Sequence, residues 1–159
     1  MRRPLAVALG AVAAVSLSLV AAPSAQAGSG DDANVHSVEV CRSKSKSKFK
    51  FHIFYNSGMG GSYRNIGYSV YDFNAVRPGG SNPGTYSLKF CVFGASNPWP
   101  GSAQKIKNNA ASGDNDHYKY TARVYYNSGY KGAQNSMAPY QHIARFTKVY
   151  NDNASFRWT

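Results

Sequence analysis

The sequence has few acidic residues and no familiar catalytic motif. Only 7 of its 159 residues are Asp or Glu, whereas 18 are Lys or Arg, so the formal net charge is +11. A glycosidase would need two carboxylates from this short set, and Asp114 and Asp116 have the surroundings of a loop. The motifs G-x-S-x-G and HExxH are absent, as is a glycine-rich phosphate loop. We therefore expect a protein that acts by binding and is not an enzyme.

One catalytic alternative stays open. A small basic ribonuclease would use His117 or His142 with Glu39 and a lysine, as acid, base and phosphate clamp. Ordinary positions on a surface or in a sheet explain these residues better than a catalytic role does. We rank this alternative below the binding hypotheses.

Long apolar runs are also lacking, except at the start of the chain. Arg2 and Arg3 precede an apolar run over residues 5–22, and Ala25-Gln26-Ala27 then forms an A-x-A cleavage site. This order predicts a signal peptide over residues 1–27 and a secreted, extracellular product. A membrane anchor is the alternative, because the run approaches spanning length, but its small residues and the A-x-A site favour cleavage. Twin-arginine and general export both remain open.

Removal of the signal peptide leaves a short chain. We predict a flexible polar tail at 28–34 and a single domain at 35–159. The leader contains two arginines and no acid, so the net charge of the exported part falls to about +9. No other stretch approaches membrane-spanning length, and no motif requires a cofactor. We expect a monomer with no membrane span.

Cysteine is scarce, and both cysteines belong to the exported part. They are Cys41 and Cys91, and the sequence contains no CxxC pair and no Cys/His spacing of a zinc site. In an oxidising compartment, a disulfide between the two is the default expectation.

From residue 35 onward the pattern is typical of β-strands. Apolar and polar residues alternate at 36–40, 48–53 and 120–125, and the 12 Tyr and 8 Phe suit strands. Clusters of Gly, Pro and Asn separate these segments. No long stretch has helical periodicity, and residues 141–149 would form one or two turns at most. Many short strands at close spacing predict an all-β antiparallel sandwich.

The sequence contains an internal repeat. Residues 54–61 (FYNSGMGG) recur as residues 125–132 (YYNSGYKG). In the same order, residues 105–112 (KIKNNAAS) recur as residues 148–155 (KVYNDNAS). The first copy has about 28 more residues between its blocks, around 77–104. Two blocks in the same order indicate a duplicated unit with an insertion in the first copy.

The two pairs of blocks resemble the Greek-key motif of the βγ-crystallins. The first signature of that motif is an aromatic residue, four residues, an aromatic residue, one residue and a glycine. The second copy matches it fully and the first has methionine in the middle: Tyr125, Tyr130 and Gly132; Phe54, Met59 and Gly61. The hairpin folds back over the sheet here, and glycine tolerates the positive φ of the corner. The resemblance implies a βγ-crystallin-like sandwich of two Greek-key motifs, at about 50–116 and about 120–159.

The second signature is two Asn or Asp residues, two of any type, Ser or Thr, and Ser. Both copies fit its first five positions and depart at the sixth, which is Gly113 or Phe156. In that family the signature often binds calcium through oxygen ligands, which this hard cation prefers. The resemblance implies these candidate ligands: Asn108, Asn109, Ser112, Asn151, Asp152 and Ser155. Since one of the six is a carboxylate, affinity would be weak. The alternative is a purely structural turn, in which Ser bonds across the hairpin.

A row of cations precedes the first repeat. A positive charge stands at every second position: Arg42, Lys44, Lys46, Lys48 and Lys50. In an extended strand all five would line one face and bind an anionic polymer, with an affinity that falls steeply with salt. The alternatives are an edge strand that its lysines protect from association, and a flexible loop.

Trp99 is a candidate contact residue of another kind. It stands between Pro98 and Pro100, and in a loop it would be exposed. An exposed Trp stacks on a sugar ring or inserts into a partner's pocket, whereas the alternative is a Trp that caps the local core.

The resemblance leaves two hypotheses of function. Exported bacterial proteins of this fold include metalloproteinase inhibitors and killer-toxin-like or antifungal proteins that bind cell-wall polysaccharide. Positive charge and aromatic content favour a binder of cell-wall polysaccharide or of an anionic surface. A peptidase inhibitor would present a rigid loop to an extracellular protease, and the insertion at 77–101 is where that loop would lie.

Overall fold

The structure is a computed structural model, and it describes residues 27–79 and 85–159. The predicted signal peptide lies outside the described residues, apart from Ala27. The described part begins with helix α1 (Ala27–His36) and two short 3-10 helices (Val38–Cys41 and Lys44–Lys46). The strands are β1 (Phe51–Asn56), β2 (Gly60–Ile66), β3 (Ser112–Asn115), β4 (Ala122–Asn127), β5 (Lys131–Met137), β6 (His142–Ile143) and β7 (Ser155–Trp158).

The strands form two antiparallel sheets. One has the order β2-β1-β3-β6 and the other the order β5-β4-β7. Each sheet is built around a hairpin, β1–β2 or β4–β5, whose register shifts just before the corner. The predicted all-β antiparallel sandwich is confirmed.

The two repeats exchange strands. β6 belongs to the second repeat by sequence, yet it pairs with β3 of the first. Conversely, Val70 follows the first hairpin and pairs with Phe156 in β7 of the second. Because each sheet is completed by the other repeat, the duplication forms one interlocked domain.

The hairpin corners have the backbone that the glycines predict. Gly61 has a φ of +69° and Gly132 a φ of +80°, in the region that favours glycine. A Cβ on Gly61 would also lie 2.9 Å from Pro100 O, so a side chain is excluded there by space as well as by conformation. Glycine as the corner residue of both hairpins is therefore confirmed.

The core lies between the sheets and draws on both repeats. The Phe51 and Phe156 rings stack across it with centroids 4.2 Å apart, and both side chains are fully buried. Phe73 and Phe146 are buried beside them, one from each exchanged segment. Each such side chain contributes about 1.5–3 kcal/mol through burial.

The insertion packs against the first sheet and forms the disulfide. Leu88 and Phe90 enter the core, and Cys91 donates its N–H to Tyr63 O of β2 at 3.0 Å. The Cys91 sulfur is bonded to that of Cys41, which confirms the expected bridge. Part of the insertion, residues 80–84, lies outside the described residues.

The polar tail predicted at 28–34 is corrected by the structure, which has a helix there. Glycine-rich sequence gives this helix little intrinsic stability, so tertiary contacts hold it. Asn34 is fully buried, accepts hydrogen bonds from the N–H groups of Gly67 and Tyr68, and donates one to Tyr68 O. Arg64 donates to Asn34 O as well. The sequence pattern missed the helix because its anchor is a polar side chain with distant partners.

Candidate binding groove

One groove brings together residues from many parts of the chain. It has a volume of about 940 Å³ and is lined by residues that end α1, precede β1 and follow β2 and β3. We call it the aromatic groove. Its lining contains aromatic and charged side chains in one surface: Phe49, Tyr68, His117, Tyr118, Tyr140 and Trp158, with Glu39, Lys48, Lys50 and Asp116.

Three tyrosines of the aromatic groove are exposed. Tyr118 is 72% exposed, Tyr140 71% and Tyr68 50%. Tyrosine rings at such exposure leave large apolar faces in water, and three of them around one groove form a surface suited to a ligand. The tyrosines sit on separate connecting segments, so the sequence carried no local signal of their proximity.

Trp158 fixes the floor of the aromatic groove to the core. Its indole Nε1–H donates to Gly67 O at 3.0 Å, and its ring contacts Phe156 edge-on with centroids 5.1 Å apart. The indole also contacts the His117 ring, at 5.2 Å between ring centroids. The floor is therefore held in one orientation before any ligand arrives.

The two carboxylates of the groove differ in their partners. Glu39 accepts hydrogen bonds from Arg42 at 2.8 Å and from the Lys48 N–H at 2.7 Å. The Lys48 N–H, together with Arg42, lowers the pKa of Glu39 below its usual value, against a smaller effect of burial. The Asp116 side chain is 35% exposed and lies beside buried His52. Asp116 is thus the carboxylate in the groove that is better placed to accept a hydrogen bond from a ligand.

His52 lies behind the aromatic groove in the middle of the first sheet. Its Nδ1 lies 2.6 Å from Asn65 Oδ1, and its Nε2 lies 3.2 Å from Asp116 Oδ2 without forming a hydrogen bond. Burial lowers the pKa of His52 below the ordinary 6.5, although Asn65, Asp116 and Asp114 act in the opposite direction. The ring is therefore neutral in the folded protein at pH 7.

This neutral histidine predicts acid sensitivity. The unfolded chain binds a proton at His52 that the folded chain resists, so the free energy of unfolding should fall as the pH drops below 6.5. Thermal melts between about pH 7.5 and 5 avoid most carboxylate titration and should show a falling Tm. His52→Gln should weaken this pH dependence while lowering Tm at pH 7. An equally steep pH dependence in the variant would assign the effect to another group, with His117 the first to test.

Several residues of the ribonuclease alternative lie close together, but the His117 ring is already hydrogen-bonded within the protein. Glu39, His117 and two lysines line the same groove. However, His117 Nδ1 accepts hydrogen bonds from the N–H groups of Lys119 and Tyr120, at 3.0 and 3.1 Å. Burial, with the charges of Lys119 and Lys50, lowers the pKa of His117. His142 lies in β6 and does not line the groove. Nδ1 of His117 is therefore engaged by backbone N–H groups, and His142 is not part of the groove.

The cation row is not a strand. The segment forms the 3-10 helix Lys44–Lys46 between irregular stretches, so its five cations do not share one face. Arg42 pairs with Glu39, and Lys44 pairs with Asp114. Of the alternatives left open by the sequence, the loop is the one closest to the structure, because no strand lies within residues 42–50, and the ion pairs together with the Ser47 hydrogen bond to Glu39 O hold the segment in place. Lys48 and Lys50 reach the aromatic groove instead.

Trp99 lies in the insertion and does not line the aromatic groove. It is 47% exposed and contacts Phe93 with ring centroids 5.1 Å apart. Phe93 in turn stacks on Tyr63 at 4.7 Å. Trp99 therefore both caps a local aromatic cluster and offers about half of its surface to a partner.

The candidate calcium ligands lie at two equivalent turns, where several already bond to the protein. Ser112 Oγ donates to Asn56 O at 2.6 Å, and Ser155 Oγ donates to Asn127 O at 2.7 Å. Each hydroxyl also accepts an N–H from the neighbouring hairpin corner. Asn108 and Asn151 have positive φ values of 61° and 54°. These contacts support the turn role proposed as the alternative to calcium.

Asn109 and Asp152 complete the set of candidates. Asn109 donates to Lys105 O at 3.0 Å. Asp152 lines a small cleft together with Asn108, Ser128 and the side chain of Lys107. A cationic lysine in that cleft does not fit a strong divalent-cation site, because like charges repel.

Within residues 27–79 and 85–159, no helix combines the length and the apolar character needed to cross a membrane.

No protein-family model matches this chain, and no curated protein matches it. Solved βγ-crystallin domains are similar in fold at low identity. One such domain comes from a structure on the evolution of the eye-lens βγ-crystallin domain fold. It has 10% identity and a TM-score of 0.46, over 70% of this chain and 86% of that one. The N-terminal domain of protein S has 15% identity and a TM-score of 0.46, over 69% and 94%. A βγ-crystallin domain from Flavobacterium johnsoniae has 10% identity and a TM-score of 0.44, over 69% and 92%. The likeness is one of fold alone, and the fold class rests on the strand pairing described above.

Proposed function

We propose that this chain is a secreted, non-enzymatic protein that binds cell-wall polysaccharide in the aromatic groove. The observation that carries the proposal is the placement of exposed Tyr68, Tyr118 and Tyr140 around one groove with Trp158 at its floor. Tyrosine offers a large rigid contact area at low conformational entropy cost, and its hydroxyl hydrogen-bonds as well.

Sugar polymers match this surface in both of its chemical aspects. A pyranose ring presents an apolar C–H face that packs on an aromatic ring, and hydroxyls around its edge that donate and accept hydrogen bonds. Asp116 offers an acceptor, while Lys48 and Lys50 offer donors. A groove lined by aromatic side chains with a few polar groups is the usual form of a specific small-molecule or oligomer site.

A nucleic acid fits the aromatic groove less well. The rings would stack on bases, but the carboxylates of Glu39 and Asp116 would face the phosphate backbone. Like charges at an interface are costly, so the groove's own acids select against a densely charged polyanion. The net positive charge of the chain then serves long-range attraction to the anionic surface that carries the polysaccharide.

Retention on insoluble polysaccharide tests the proposal. The exported chain is passed over chitin and over peptidoglycan at NaCl concentrations from about 0.05 to 1 M, which span weak to strong screening. We expect retention on at least one polymer that persists at high salt, because stacking contacts are not screened. Passage straight through both at low salt would overturn the proposal. Retention that disappears with salt would assign the binding to the lysines and not to the tyrosines.

A peptidase inhibitor remains the second candidate, on one specific observation. The insertion presents an exposed loop with Val92 64% and Trp99 47% exposed, and hydrogen bonds within the loop hold its shape. The disulfide at Cys91 ties its base to the N-terminal segment. A rigid exposed loop is what a protease cleft binds, since little order is lost on binding.

A protease titration, together with the retention assay on the Trp99→Ala variant, distinguishes the two candidate functions. A thermolysin-type metalloproteinase should lose activity in proportion to added protein if the loop inhibits it, and Trp99→Ala should weaken that inhibition. Polysaccharide retention by the same Trp99→Ala variant should be unchanged, because Trp99 is outside the aromatic groove. Loss of polysaccharide retention in Trp99→Ala would move the sugar site to the insertion.

A further inference from the structure

The two repeats place different residues at one equivalent position. The carbonyl oxygens of Tyr71 and Ala144 accept equivalent hydrogen bonds from the two hairpin corners, at 2.8 and 2.6 Å. The residues that follow them, Asp72 and Arg145, are therefore counterparts. One repeat has a carboxylate where the other has a guanidinium.

A second pair of counterparts faces this position. Lys107 and Tyr150 each stand directly before the first Asn of the second signature, in blocks that align without a gap. The first turn thus combines Asp72 with Lys107, and the second combines Arg145 with Tyr150. The pairs differ in chemistry, and each contains one protein cation.

Lys107 is held by three contacts at the first turn. Its Nζ donates to both carboxylate oxygens of Asp72, at 3.0 and 2.9 Å, and to Ser128 Oγ at 3.0 Å. Ser128 Oγ donates to Asp72 Oδ2 at 2.7 Å. The Lys107 and Asp72 side chains are only 22% and 19% exposed. Since Asp72 comes from the first repeat and Ser128 from the second hairpin, the ammonium joins the two repeats.

The carboxylate of this pair is ionised. Burial raises the pKa of Asp72, but hydrogen bonds from the Asn74 N–H, Lys107 and Ser128 together bring it below its ordinary value. At the second turn, the Arg145 guanidinium lies 4.2 Å from the centroid of the Tyr150 ring, a cation–π contact.

We propose that the Lys107 ammonium takes the place that a calcium ion would have at the first turn, so that this chain joins its repeats without metal. Lys107 lines a cleft together with Asn108 and Asp152, two of the candidate calcium ligands, and with Ser128, whose hydroxyl oxygen accepts a hydrogen bond from it. A fixed positive charge there repels a divalent cation, and its ion pair with Asp72 neutralises the carboxylate that would otherwise attract one. The oxygen donors hold a tethered cation in place of a diffusible one.

Calcium-dependent melting of variants tests the proposal. The Tm of the unaltered protein should be the same in 10 mM calcium, in magnesium and in chelator, at matched ionic strength. Lys107→Ala should melt at a lower temperature without metal, and calcium should then raise its Tm by about 3–6 °C, as expected for a millimolar site. Lys105→Ala, an exposed lysine two positions away, is the control and should show neither effect.

Two outcomes would overturn the proposal. One is a rise in the Tm of the unaltered protein with calcium that magnesium does not reproduce. The other is an unchanged Tm of the Lys107→Ala variant on addition of calcium, because the cleft would then fail to bind calcium even without the lysine. If Lys107→Ala does not fold, Lys107→Met keeps the aliphatic packing, and calcium binding to it by calorimetry answers the same question. The polysaccharide retention assay is independent of all these results.

Discussion

Replacing Tyr118 and Tyr140 together by alanine should reduce the affinity for insoluble polysaccharide by roughly 30-fold or more. Exposed aromatic contacts that a ligand covers are worth at least about 1 kcal/mol each, and two of them therefore give about that factor. Both side chains are more than two-thirds exposed, so their removal should change the free energy of unfolding by no more than about 0.5 kcal/mol each. Depletion isotherms on the polymer that retains the unaltered protein measure the loss.

Tyr86→Ala is the matched control for this experiment. Tyr86 is 51% exposed, a fraction similar to that of Tyr68, but it does not line the aromatic groove. If general tyrosine content caused retention, Tyr86→Ala would weaken it by about half as much, in free energy, as the double variant does. An undiminished affinity of the double variant, with an unchanged Tm, would contradict the proposed site and leave the insertion loop to be tested next.

Removal of the disulfide should destabilise the domain strongly. The bridge closes a loop with a sequence separation of 50, and the chain-entropy model assigns about 4 kcal/mol to that closure. For a domain of this size that corresponds to a fall in Tm of roughly 10–15 °C. The Cys41→Ser, Cys91→Ser double variant measured by thermal and denaturant unfolding provides the number. Domains typically have 5–15 kcal/mol in total, so this single loss approaches the margin of folding.

Reductant supplies the control for the disulfide variant. The unaltered protein under reducing conditions should show the same shift as the double variant, whereas the variant should not respond to reductant. A variant that melts within a degree or so of the unaltered protein would mean that contacts of Leu88 and Phe90 hold the insertion by themselves. Polysaccharide retention should survive in the folded fraction, since neither cysteine lines the aromatic groove.

The predictions from sequence succeeded where short-range chemistry decides. Gly61 and Gly132 correctly predicted the hairpin corners, because few other residues tolerate the positive φ found there. The hydrogen bonds of Ser112 and Ser155 to the hairpins match the turn role that the sequence left open as the alternative to calcium, although their partners Asn56 and Asn127 are distant in sequence. Alternation of residue types predicted strands less reliably. Residues 48–53 and 120–125 overlap β1 and β4, but residues 36–40, which also alternate, form the end of α1 and the 3-10 helix Val38–Cys41, where Ser37 caps the helix.

The predictions failed or stayed open where the partner is distant. The row of cations from Arg42 to Lys50 alternates like a strand, but the segment contains the 3-10 helix Lys44–Lys46, and two of its cations pair with Glu39 and Asp114. The N-terminal helix has almost no helical signal, because the buried contacts of Asn34 with Gly67 and Tyr68 stabilise it. Neither outcome is visible in a window of neighbouring residues.

The repeated unit, the corners of its hairpins and the pairing of the two cysteines could be predicted from the amino-acid sequence, because each follows from local backbone preference or from the absence of another partner. The remaining features depend on tertiary contacts. The exchange of β6 and of the segment at Val70 between sheets, the aromatic groove and the pair of Lys107 with Asp72 all join residues far apart along the chain. Such contacts depend on how two interlocked sheets pack, and packing is set by the whole core at once.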